Sequence, residues 1–134
     1  MDRPREIGRF VALALSALIS NIASTLLTFG LAGNAWLGCI LGAAITGGLV
    51  LWVLVGRSLI GRLFATIWIA FHIGANLAAY AWLLSTHGET RMGPAAHVLN
   101  IAASLIDSAG LFYLWSRAST AWLQAGAGDR PTGS

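Results

Sequence analysis

Two ionisable side chains stand inside long apolar runs of this chain: Asp107 in NIAASLIDSAGLFYLW, residues 100–115, and His72 in LFATIWIAFHIGANLAAYAWLL, residues 63–84. A carboxylate and an imidazole that meet in an apolar setting can pass a proton or hold a cation, and they can equally serve as a polar contact that fixes helix register. Both readings stand at this stage. Polar residues accompany each of the two at helical spacing. His97, Asn100, Ser104, Asp107 and Ser108 recur at steps of three and four and fall on one arc of a helix, which predicts an inward-looking polar face. His72, Asn76 and Tyr80 form an i, i+4, i+8 row, as do Ser16, Ser20, Ser24 and Thr28.

Other chemistries find little support in the residue patterns. His72, His87 and His97 raise the question of haem, but His72 and His97 fall at different depths and make poor opposing ligands for one haem; no cofactor is expected. No H-x-x-x-H or H-E-x-x-H spacing occurs, so His87, Glu89 and His97 are an unpatterned group and no metal site is expected. A phosphate-binding G-x-x-x-x-G-K-[ST] loop is also missing. Cys39 is the single cysteine and lies in an apolar run, where it reads as a small hydrophobe.

The elements that carry these residues follow from composition. Of 134 residues, 57% are hydrophobic and 10% charged, with a mean hydropathy of +0.74. That is too little charge to cover a water-soluble domain, so the chain reads as an all-α membrane protein in contact with the lipid bilayer. A helix needs about 20 apolar residues to cross a hydrocarbon core of about 30 Å, and four runs qualify: 10–29, 35–55, 63–84 and 95–115. The breaks between them are short, which predicts antiparallel neighbours in an up-down four-helix bundle. The first run could be read as a secretory signal peptide ending at GNA (33–35), but it exceeds the usual apolar length of about 7 to 15 residues and is expected to stay as a span.

Arginine placement sets a direction. All eight basic residues are arginine. Arg3, Arg5, Arg9, Arg57, Arg62, Arg117 and Arg130 fall on one side and Arg91 on the other, so both termini are expected in the cytoplasm of a bacterial inner membrane. The arginines form no continuous basic face, so the sequence pI near 10.0 does not point to nucleic acid. Trp36 and Trp82 fall at the outer ends of the spans, and Trp52, Trp115 and Trp122 at the inner ends, where indole meets headgroups; Trp68 is the exception. SRASTAWLQ (116–124) suits a short helix along the inner surface. A single transmembrane domain is expected over residues 1–123, with 124–134 as a disordered tail.

Counting from the cytoplasmic arginines gives depth. Asp107 is ten residues from Arg117 and His72 ten from Arg62, so each lies about 15 Å in. Asn21 and Thr46, twelve and eleven residues from Arg9 and Arg57, reach about 16 to 18 Å. Each span therefore contributes one polar group near the midplane, and the intramembrane polar set is Asn21, Thr46, His72, Asn76, Asn100, Ser104 and Asp107. An isolated charge there costs at least about 2.5 to 3.5 kcal/mol, so Asp107 is expected to be neutral or to have a partner, and His72 is the natural one. Gly38, Gly42 and Thr46 on the second span form a small-residue row, expected to be a close helix seam within the bundle or a homodimer interface.

In size and span number the chain is similar to the small multidrug resistance transporters. That family carries its essential glutamate in the first span and often shows weak orientation bias, whereas this first span has no acid and the arginines are one-sided. YLWSRASTAW, residues 113–122, resembles the way many uncharacterised bacterial four-span proteins finish. With few residues outside the spans and no complete catalytic set, the chain is expected to be an accessory, assembly or regulatory subunit of a larger membrane complex, with other membrane subunits or a second copy as partners. The alternatives are a small proton-coupled transporter or channel using Asp107 and His72, and a redox subunit holding haem or quinone.

Overall fold

The computed structural model describes residues 2–30, 34–86 and 92–128; His87, Glu89, Arg91 and Arg130 lie outside them. Among the described residues the chain is all helical, with α1 Arg5–Phe29, α2 Ala35–Gly56, α3 Leu59–Ser85, α4 Pro94–Leu114 and α5 Arg117–Gly128. The first four are long and apolar enough to cross a membrane, with mean hydropathies of 2.0, 2.2, 1.4 and 1.3 over their most apolar stretches. Their ends follow local chemistry. Gly30 ends α1 at φ 62°, its N–H bonded to the Leu26 carbonyl. Arg57 adopts a left-handed conformation after α2, and the next residue, Ser58, opens α3 by accepting the Gly61 N–H at 3.0 Å. Pro94 occupies the first turn of α4, where no N–H is needed.

The helix pair in most extensive contact is α1 with α4. Small residues line it: Ala14, Ala17 and Ser24 on α1 and Ala96, Ala103 and Gly110 on α4 are all buried. At Gly110 a Cβ would lie 3.6 Å from the Leu13 Cβ and 3.8 Å from the Phe10 ring. Further along, the Ser24 hydroxyl donates to the Ala96 carbonyl at 3.0 Å. Phe10 thus lies beside Gly110 and Ser24 beside Ala96, so the two helices run antiparallel. Small side chains let the backbones approach, and dispersion and interhelical hydrogen bonds then hold them where lipid supplies no hydrophobic drive.

The expected seam on α2 is different. A Cβ added at Gly38 or Gly42 would meet nothing within 4 Å, so neither glycine packs against a neighbouring backbone of this chain, and of the two expected roles only the homodimer interface stays open to the row. Thr46 does make a helix contact, accepting the Trp68 indole N–H at 3.0 Å.

The packed core lies at the arginine-rich end, where Ile7, Phe10, Val53, Leu114 and Leu123 have no solvent exposure. Here α5 folds into the core instead of trailing off after residue 123, and it continues through Gly128. The Ser119 hydroxyl fixes its start by donating to the Tyr113 carbonyl at 2.8 Å. Arg57 donates to the Trp122 carbonyl at 2.9 Å, with its guanidinium 4.9 Å from the Trp122 ring centre. Arg62 donates to the Thr120 hydroxyl at 2.8 Å and stacks on Trp115 at 4.0 Å. Trp122, expected at the headgroup level, is therefore buried, because a cation and the core cover its two faces better than lipid would.

Candidate functional site

Helix α3 organises the middle of the chain. Its Asn76 amide donates to the Asn21 side chain on α1 at 3.3 Å, and to the Asn100 carbonyl and the Ser104 hydroxyl on α4 at 3.3 and 3.1 Å. One side chain thereby joins three helices. Four residues earlier, His72 packs its ring 4.7 Å from that of Trp68, and the Thr46 hydroxyl on α2 anchors Trp68. The polar set read from the sequence thus divides into two groups: Asn21, Asn76, Asn100 and Ser104 around one hydrogen-bonded hub, and Thr46, His72 and Asp107 beside Trp68.

Asp107 and His72 line the same small void, of about 10 Å³, together with Ala14, Thr46 and Trp68. That volume is about one water. No direct hydrogen bond or ion pair joins the carboxylate to the imidazole. Asp107 is buried with 4% of its surface exposed, because α1 covers the face of α4 that carries it.

Above this void lies a larger cavity of about 290 Å³. All four long helices contribute to its wall: Asn21, Thr25 and Thr28 from α1, Gly38 and Gly42 from α2, His72 and Asn76 from α3, and Asn100 from α4. Its extent toward Thr28, Phe29 and Met92 carries it away from the arginine-rich core. No Asp, Glu, Arg or Lys belongs to its lining among the described residues. Leu18 and His72 border both spaces and stand between them.

The inward arc expected on α4 is only partly inward. His97, Asn100 and Asp107 are buried and Ser104 is half-buried, but Ser108 is exposed and returns its hydroxyl to the Ser104 carbonyl at 2.7 Å. Self-satisfaction of this kind lets a serine face lipid. Ser16 and Ser20 likewise bond to carbonyls of their own helix, and Tyr80 is 40% exposed. His97 is buried with no hydrogen bond to its Nε2, and it lines neither space. No group of three or more His, Cys, Asp or Glu among the described residues is placed to hold a metal ion.

Two features of the site were not read from the sequence. Trp68 lies at the wrong depth for a headgroup anchor, yet the indole N–H of a half-buried Trp needs an acceptor, and the i, i+4 spacing to His72 is the available signal. The cavity itself was hidden in the glycine row of α2, which has the same sequence pattern whether it faces a helix or a void. No family model, no curated protein and no solved structure matches the chain.

Proposed function

We propose that the chain is a four-span bundle of the bacterial inner membrane, with both termini in the cytoplasm, that works as an accessory or regulatory subunit of a larger membrane complex. The observation that carries this reading is the packed end. Ile7, Phe10, Val53, Leu114 and Leu123 from four of the five helices fill the arginine-rich side, so the 290 Å³ cavity has no continuation through that side of the single chain. A site that is apolar with a few polar groups inside, and closed at one end, suits a subunit that holds or senses something better than a pore.

Purification of the tagged chain in mild detergent tests this. A second membrane protein in fixed proportion is the expected result, and a chain that elutes alone after gentle solubilisation and crosslinking of intact cells overturns the reading. Orientation is tested separately by reporter fusions. Those after Arg62 and Trp122 are expected to report cytoplasm and those after Asn34 and Arg91 periplasm, from the seven-to-one arginine bias; a periplasmic carboxyl terminus would reverse it.

One observation favours a second reading, proton-coupled transport: Asp107 and His72 line one water-sized void, within reach of a proton passed over a single bridging water. On that reading a second copy or a conformational change would have to open the packed end.

A further inference from the structure

We infer that the 290 Å³ cavity is a binding site for a small, uncharged, amphipathic molecule that donates a hydrogen bond, of the phenol or alcohol type. This holds whether or not the chain joins a larger complex.

Hydrogen-bond accounting gives the polarity of the ligand. The hydroxyl protons in the wall are already committed: Ser24 donates to the Ala96 carbonyl, Thr25 to the Asn21 carbonyl and Thr28 to the Ser24 carbonyl, at 3.0, 2.9 and 2.8 Å. The Asn76 amide is spent on its three acceptors, and the Asn100 amide points at the Met92 sulfur at 3.5 Å. A hydroxyl that has given up its proton still has lone pairs, and so do the side-chain carbonyls of Asn76 and Asn100. The donors left in the wall among the described residues are the Asn21 amide, the second N–H of the Asn100 amide, His72 and the weakly donating Cys39 thiol. Acceptors therefore outnumber donors, and a guest with an O–H matches the wall better than one without.

Charge and size narrow the class further. Among the described residues the wall holds no carboxylate or guanidinium, and Asp107 lies in a separate void behind Leu18 and His72. A cation or anion entering the cavity would lose its hydration without gaining a counter-ion at contact. An apolar cavity of about 150 Å³ accommodates benzene, so one of 290 Å³ takes about a dozen non-hydrogen atoms. Leu18, Ile22, Phe29 and Ala79 provide apolar wall for the body of such a molecule. Gly38 and Gly42 create the room, since a side chain at either would project into it without touching a neighbour at Cβ.

The test is calorimetric titration of the full chain in phosphatidylethanolamine–phosphatidylglycerol nanodiscs with three probes of one shape: 4-propylphenol, its methyl ether, and protonated 4-propylbenzylamine. Saturable binding of the phenol is expected, with the ether and the ammonium each weaker by about tenfold, the worth of one shielded hydrogen bond. Gly42→Leu should fill the cavity and abolish phenol binding while its circular dichroism melt stays that of the parent. Thr28→Val, which removes one of the wall's acceptors at nearly constant volume, should narrow the preference for phenol over ether, and where Gly42→Leu does not fold, a preference unchanged by Thr28→Val and by Thr25→Val alike overturns the inference. Equal binding of phenol and ether, tightest binding of the ammonium, or no binding of any probe overturns the inference. Unchanged phenol binding by a folded Gly42→Leu does so too, by assigning the heat to the lipid.

Discussion

Gly110→Leu is expected to destabilise this protein by about 1–3 kcal/mol, while Gly110→Ala is expected to leave it unchanged or slightly more stable. The opposite outcomes follow from one distance set. A Cβ at Gly110 would sit 3.6 Å from the Leu13 Cβ, 3.8 Å from the Phe10 ring and 4.0 Å from the Phe10 carbonyl oxygen, which is ordinary contact. Alanine fits there and is the better helix former by up to about 1 kcal/mol. Leucine needs three further carbons where α1 already stands, and Phe10, with no exposed surface, cannot swing aside. The helices must then separate, which would also weaken the Ser24–Ala96 hydrogen bond farther along the pair. Thermal unfolding in mild detergent, followed by circular dichroism, reads both variants. A leucine variant as stable as the parent would mean that α1 and α4 do not pack at Gly110.

The sequence was most legible where the signal is bulk hydropathy. The expected spans 10–29, 35–55 and 63–84 fall within α1 to α3 and 95–115 overruns α4 by one residue, while α1 begins at Arg5 and α3 at Leu59, because a helix does not stop where its apolar run stops. Which small residues make close contact was not legible. Gly38 and Gly42 form the regular row, yet the intimate contact uses Ala14, Ala17, Ala96, Ala103 and Gly110, whose pattern blends into an alanine-rich background. Both are small-residue patterns, and only the neighbouring helix decides whether small means close or empty.

Residues past Trp122 misled for a related reason. GAG within a polar tail predicts no helix, but Gly126 is needed where it is: a Cβ there would come within 2.5 Å of the Arg57 Cβ. The glycine admits the arginine that holds α5 down. In the site, depth counting placed Asp107 and His72 at one level and they do share a void, whereas Asn76 as the hub of three helices depended on helix rotation, which depth does not give.

The second large effect is expected at Asp107, and its direction depends on what replaces the carboxylate. Asp107→Arg should prevent stable folding, at a cost of about 3–5 kcal/mol, the range for a buried charge left without its partner. A guanidinium cannot fit a void of about 10 Å³ beside Trp68, and among the described residues the ionisable neighbour there is His72, which offers no negative charge. Asp107→Asn keeps the shape and removes the ionisable group, and with no direct hydrogen bond to the carboxyl group to lose, its stability should stay within about 1 kcal/mol of the parent. Thermal melts of the two variants decide the structural half of the question. An asparagine variant as damaged as the arginine one would mean that the carboxylate has a charged partner beyond this chain, the outcome expected if a neighbouring subunit reaches the void. The functional half then becomes separable, because a folded Asp107→Asn protein has lost only the ability to take up and release a proton. If it co-purifies with the same partner as the parent, the subunit reading stands without any proton chemistry; if it reconstitutes normally but no longer moves protons in liposomes where the parent does, Asp107 and His72 are the relay and transport becomes the principal reading.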